Sequence, residues 1–271
     1  MGRATCALVT VLAVVGRMAD GSAGDADYAA IGTSYSHYRR PDPRIAAALT
    51  AALGDASTVL NVGAGAGAYE PTDRVVTAVE PSAAMRSQRP AGLATAVDAT
   101  AEALPFPDRA FDAAMTTFSV HQWQELASGL REVRRVTRGN VVILTCDPEL
   151  LDRFWLIDYT PEVIATEARR YPPISALADR LGGRTASSII PIPLDCTDGF
   201  NEAYYGRPER LLDPQARLSC SAWSFVDSST HERFTTELTH DLEIGAWDDR
   251  YGALRHQPAF EGSLVLVVSK P

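Results

Sequence analysis

Hydrophobic and polar positions along this chain follow two periods, and the switches between them mark out its elements. From Pro43 onward, Ile45, Leu49 and Leu53 recur at helical spacing among alanines, and Gly54 stands where a C-terminal cap belongs, which predicts a first helix. Short β-rich runs bounded by Gly, Pro or Asp follow at 58–62, 75–80, 93–97, 111–116 and 140–146. Between the last two, Trp123, Leu126, Leu130, Val133 and Val136 share one face of an amphipathic helix. Residues 148–171 read as helical, 188–193 as a sixth strand and 264–268 as a buried closing strand. Strands alternating with crossover segments predict an α/β fold built on a Rossmann-like, doubly wound, mostly parallel sheet.

The polar breaks divide the chain further. Small and acidic residues at 20–27 precede the aromatic, basic segment Tyr35-Ser36-His37-Tyr38-Arg39-Arg40-Pro41, so 1–34 reads as a flexible leader and 35–271 as the folded domain. Arg3 followed by the apolar run 4–15 has the pattern of a secretory leader, whereas a start at Met18 removes that run altogether. The run is too short to span a bilayer. Within the domain, 194–260 is rich in aromatic and polar residues and ends in a predicted helix at 230–244. Insertions of that size on a rigid sheet carry substrate contacts or an interface, so this one is expected to cap the site as a substrate lid. Its Tyr204, Tyr205, Trp223 and Phe225 serve either a pocket or the packing of the insertion onto the sheet.

Composition narrows the partners. With 46% apolar and 22% charged residues in 271 the chain is ordinary globular protein, and a net charge of −9 with scattered basic residues speaks against nucleic acid. Cys6, Cys146, Cys196 and Cys220 form no CxxC pair and have no His at ligand spacing, which predicts neither a metal site nor a disulfide framework and suits a cytoplasmic protein with no membrane partner.

The chemistry concentrates after the first strand. Val59-Leu60-Asn61-Val62 runs into Gly63-Ala64-Gly65-Ala66-Gly67, a GxGxG turn whose missing side chains let backbone approach a ligand at the carboxyl edge of the sheet. The next strand ends on Glu80, an acid placed to accept hydrogen bonds from both hydroxyls of a ribose. Pro71 prevents a full-length helix between glycines and acid, and a dinucleotide needs such a helix N-terminus for its pyrophosphate. A nicotinamide-dependent dehydrogenase is therefore disfavoured.

With these features in view, the chain resembles the class I S-adenosylmethionine-dependent methyltransferases, in particular the small-molecule group called methyltransferase type 11. The resemblance covers 35–146, and its most specific piece is Ala101-Glu102-Ala103-Leu104-Pro105-Phe106-Pro107-Asp108-Arg109-Ala110-Phe111-Asp112. It implies a seven-stranded sheet with an antiparallel last strand and S-adenosylmethionine as cofactor. It also implies that Gly63, Ala64, Gly65 and Gly67 line the methionine and ribose part, that Glu80 holds the ribose, that Pro81, Ser82 and Met85 flank the adenine, and that Thr100, Ala101 and Glu102 meet its edge. Asn61 stands where the family usually has Asp facing the methionine amine. Thr100 likewise replaces a frequent Asp, for which Asp98 is the candidate substitute. Tyr35 and Arg40 match an element that closes over the cofactor, with Arg40, or Arg39 in its place, gripping the methionine carboxylate bidentately.

Thr117, Phe118 and His121 follow the fourth strand, where the methyl group is expected to emerge. Because the sulfonium is already activated, the protein mainly has to align a nucleophile and exclude water. A base is needed only for an acceptor that loses a proton, and His121 followed by His37 are the candidates. The expected activity is methylation of an O, N or C atom of a small molecule. Two alternatives share the fold: a protein that uses the bound sulfonium to steer a non-methylating rearrangement, and a non-catalytic ligand-binding protein.

Overall fold

The computed structural model describes residues 35–271, so the expected leader at 1–34, with its apolar run and Met18, lies outside the described residues. A short helix α1 (Tyr35–Tyr38) leads into α2 (Pro43–Leu53), which Asp42 caps by accepting from the Arg44 N–H while Pro43 fills the first turn. Then come β1 (Thr58–Val62), β2 (Val75–Val79) and α3 (Ala83–Ser87), whose cap is Ser82. The amphipathic pattern becomes α4 (Leu126–Val136), flanked by β3 (Ala113–Thr117) and β4 (Val141–Cys146). Trp123 falls just outside that helix, its ring N–H donating to Ser119 Oγ at 3.0 Å.

Where 148–171 was expected to be helical throughout, two 3-10 turns (Leu151–Arg153 and Trp155–Asp158) precede α5 (Pro161–Arg170), because Pro161 can open a helix but not continue one. After α6 (Ile174–Leu181) the strand β5 (Arg184–Ile189) begins earlier than expected, and β6 (Ile192–Pro193) leaves the main sheet. The insertion contributes α7 (Pro214–Leu218), α8 (Ser228–Ile244) and α9 (Ala246–Tyr251). The chain closes through β7 (Ala259–Phe260), paired with β6, and β8 (Leu264–Lys270).

The main sheet has the order β2-β1-β3-β4-β8-β5. Strands β1 to β4 are parallel, and β8 runs antiparallel between β4 and β5. Six strands stand where seven were expected. Residues 93–97 contribute only a bridge from Val97 to Val79, and Arg89 binds the Ala94 carbonyl, which takes that carbonyl out of any ladder.

Central β4, VVILTC, is buried along its whole length, as a parallel strand covered on both faces must be. Leu60, Val62, Val141 and Ile143 pack under α4 and α6, whereas Val59, Met115, Val142 and Leu144 face α2 and the aromatic interior of the insertion. There the Trp155 indole donates to the Tyr205 carbonyl at 2.9 Å and meets Trp247 edge-on at 5.6 Å. Tyr204, Tyr205 and Trp223 are buried in that packing, while Phe225 is exposed under the Arg170 guanidinium. No helix among the described residues is long and apolar enough to cross a membrane.

Candidate functional site

At the carboxyl ends of β1 and β3 lies a cavity of about 310 Å³. Its floor is the backbone of Gly63 to Ala68. Glu80, Pro81, Met85, Ala101 and Glu102 form one side, and Thr117, Phe118, Ser119, Gln122 and Trp123 another. Arg39, Arg40 and Pro41 close the rim. The volume falls at the small end of small-molecule sites, about 300 to 1,000 Å³.

The glycines are required by geometry. Gly63 has φ +67°, and a Cβ there would sit 1.8 Å from Ser119 Oγ. Gly65 also has positive φ, and its N–H donates to Glu80 Oε2 at 2.8 Å. The Ser82 N–H donates to the other oxygen, Oε1, at 2.8 Å. Burial raises the Glu80 pKa, opposed by those two N–H groups and by Arg86 and Arg89. A carboxylate has about four acceptor sites, so two remain for hydroxyls at the cavity wall. From Gly67 to β2 the chain forms turns and bends with no helix, so the glycine loop is not followed by a helix whose N-terminus could take a pyrophosphate.

A buried ion pair supports the loop from beneath. Arg89 Nη2 reaches both oxygens of Glu70 at 3.0 and 2.9 Å, and its Nη1 meets the Gly65 carbonyl at 3.4 Å. Asn61 donates from Nδ2 to Glu70 Oε1 at 3.0 Å, and its Oδ1 is buried with no hydrogen-bond partner among the described residues. Asn61 is thus tied to this pair beneath the cavity rather than lining it. Sequence reading missed Glu70 and Arg89, since no local motif links two charges on either side of a strand.

The other expected site residues fall into groups. Gly63, Ala64, Gly65, Gly67, Glu80, Pro81, Met85, Ala101, Glu102, Thr117, Phe118, Arg40 and the alternative Arg39 all line the cavity. Ser82 acts as the α3 cap and as a backbone donor to Glu80. Asp98 pairs with Arg86 at 3.2 Å, and Arg86 in turn donates to the carbonyls of Glu80 and Pro81. Thr100 is half-buried outside the lining, with its carbonyl accepting the Ala103 N–H. The expectation for the Tyr35 side chain falls outside the described side chains. His37 is exposed, edge-on to Tyr38.

His121 faces a second, smaller chamber of about 30 Å³, which shares Arg39 and Phe118 with the first. Phe118 holds φ +49°, a left-handed conformation uncommon for an aromatic residue and found where a site demands it. The Phe118 ring packs 5.4 Å from Phe200 of the insertion, with the Arg39 guanidinium 4.9 Å above it. Arg39 is anchored to Asp198 at 2.6 Å, and Asp198 also accepts from the Tyr69 hydroxyl at 2.9 Å.

Beyond Phe118 the chamber is lined by His121, Cys146, Glu167, Tyr171, Asn201 and Glu202, among others. The His121 ring packs tilted against Tyr171, 4.4 Å between centroids, and burial, Arg170 and Arg39 together push its pKa down, leaving a neutral imidazole. Burial raises Glu167 to about 7 against the pull of Asn201, Arg170 and Arg39. Burial also raises Glu202 to about 7, although Ser263 donates to it from both N–H and hydroxyl. Cys146 and Tyr171 are pushed up and stay protonated.

Residues 60–145 match the family described as the methyltransferase domain. A structure described as a methyltransferase from an antibiotic biosynthesis pathway of Anabaena variabilis superimposes with a TM-score of 0.80 at 29% identity, covering 86% of this chain and 98% of that one. An S-adenosylmethionine-dependent methyltransferase from Thermotoga maritima shares the fold, with a TM-score of 0.51 and 16% identity over 87% of this chain and 90% of that one. The uncharacterised protein YafE of Escherichia coli K12 is 39% identical over 46 residues, 16% of this chain and 22% of its own length.

Proposed function

For this chain, a class I S-adenosylmethionine-dependent methyltransferase of the type 11 group, we propose that the methyl acceptor is a small molecule that meets the cofactor at Phe118 beneath the 194–260 insertion. The observation that carries this reading is the glycine-floored cavity: its wall supplies Glu80 and Phe118, and it shares Phe118 and Arg39 with the chamber under the insertion.

The residues present fit the cofactor. The side-chain-free floor from Gly63 to Gly67 admits the methionine and ribose part, and the two remaining acceptor sites of Glu80 suit a ribose diol. Pro81, Met85, Ala101 and Glu102 flank the adenine end, and Arg40 at the rim grips the carboxylate. Bound there, S-adenosylmethionine supplies a methyl group already activated on sulfur. The chain's own task is then alignment and exclusion of water. Phe118, held by Phe200 and Arg39, walls off the transfer point, and the aromatic interior of the insertion keeps solvent out. The net charge of −9 favours a small acceptor over a polyanion. Cys146, Cys196 and Cys220 are free and buried, which suits a reducing cytoplasm.

Calorimetric titration with S-adenosylmethionine, S-adenosylhomocysteine and NAD in parallel tests the reading. Micromolar binding of both adenosyl ligands and none of NAD is expected. Binding of NAD instead, or of none of the three, would overturn it.

A further inference from the structure

The chamber behind Phe118 has a composition that packing alone does not demand. Its volume of about 30 Å³ exceeds the roughly 10–15 Å³ that one water requires and falls well short of the roughly 150 Å³ of a cavity that takes benzene, so it admits a hydroxyl or amino head but not a ring. An apolar core would fill such a space with a methyl group. Here Glu167, Glu202, His121 and Tyr171 converge on it from α5, the insertion and the segment after β3. Glu202 is buried and Glu167 half-buried, and neither has an ammonium or guanidinium bonded to it among the described residues; carboxylates so placed are expensive and cluster where a proton moves.

Among the described residues one of these groups is best placed to take a proton. Glu202 is held by Ser263 on both oxygens, through the N–H at 2.9 and 3.1 Å and the hydroxyl at 2.7 Å, which leaves it less free to turn toward an acceptor. Tyr171 and Cys146 hold their own protons. His121 is neutral, but the burial and positive neighbours that keep it so also make it a weak base. Glu167 remains, on the α5 face toward the chamber, with Arg170 on its own helix, Arg39 from the N-terminal segment, Asn201 and Glu202 from the insertion, and Tyr171 and Cys146 around it.

Resting on the methyltransferase reading above, we propose that this chamber receives the protic head of the acceptor, a hydroxyl or a primary or secondary amine, and that Glu167 is the catalytic residue that accepts its proton. The body of the acceptor stays on the cofactor side of Phe118. As the lone pair of the O or N forms its bond to the methyl carbon, the carbon–sulfur bond breaks and its electrons stay on sulfur. The X–H proton passes to a Glu167 oxygen and later to solvent. The products are the methylated acceptor, S-adenosylhomocysteine and a proton. Glu167 must be ionised to act, so transfer rises with pH through a midpoint near 7.

The test uses the full chain loaded with S-adenosylhomocysteine and titrated with benzyl alcohol, benzylamine and toluene. At least one protic probe is expected to bind about tenfold more tightly than toluene, and the two probes separate alcohol from amine specificity. Glu167→Gln is expected to weaken that probe by about tenfold and to remove the pH step near 7, while its affinity for S-adenosylhomocysteine stays within about twofold of wild type. Failure of both protic probes to bind, equal binding of toluene, or unchanged probe affinity in Glu167→Gln would each overturn the assignment. Failure of S-adenosylhomocysteine to bind wild type would instead overturn the cofactor site.

Discussion

The two cavities meeting at Phe118 are built on opposite plans. The larger one is made mainly of backbone: glycine N–H groups, a carboxylate that organises them, and small side chains around a floor from which Cβ atoms are excluded. The smaller one is made of buried and half-buried titratable side chains with shifted proton affinities. A ligand common to a family can be held by backbone geometry, which any sequence with the right glycines reproduces. A chain-specific partner needs side chains brought in from elsewhere. The larger cavity is thus a shape set by backbone, whereas the smaller one is chemistry placed by folding.

The largest effect should come from the support under the first cavity. Arg89→Met leaves Glu70 charged and buried beside Asn61, so we expect a loss of about 3 to 5 kcal/mol in stability, read by chemical denaturation. A loss below about 1 kcal/mol would show that the glycine loop does not depend on that pair.

In the second cavity the expectation concerns pH. Burial raises Glu167 from 4.5 to about 7, so the folded state holds that proton more tightly than the unfolded state, and stability falls as pH rises through this window. Glu167→Gln removes the effect. The variant should be more stable than wild type by up to about 3 kcal/mol near pH 8, with the difference vanishing below about pH 4.5. A pH-independent difference would mean that the chamber does not raise the proton affinity of this carboxyl.

Glu80→Gln keeps the shape but loses the charge that two backbone N–H groups and a ribose diol address. S-adenosylhomocysteine binding is expected to weaken by about tenfold to a hundredfold in calorimetry, with the fold retained by circular dichroism. Asp98→Asn should do least. Its pair with Arg86 is half-exposed, so stability is expected to change by less than about 0.5 kcal/mol and cofactor affinity hardly at all. A clear loss of affinity would restore Asp98 to the adenine edge.

Much of the first cavity was legible before the structure, because its parts lie close in sequence. Strand β1, its GxGxG turn, Glu80 and the 101–112 string announce themselves by local pattern, and Gly63 to Gly67, Glu80, Ala101 and Glu102 among them line the cavity. Asn61 fits less well. The pattern placed it at the cofactor, whereas Glu70 engages it from below. The seventh strand also failed to form, since periodicity at 93–97 carries no information about an arginine that binds the Ala94 carbonyl.

Local pattern along the chain sufficed for the fold class, the parallel direction of the early strands and the side-chain-free floor, because each rests on short-range periodicity or on the steric freedom of glycine. What lies beyond Phe118 emerges only on folding. Glu167, Glu202 and Ser263 come from segments far apart along the chain, and the raised proton affinities of the two carboxyls depend on the chamber that packs around them, a property that no single segment possesses.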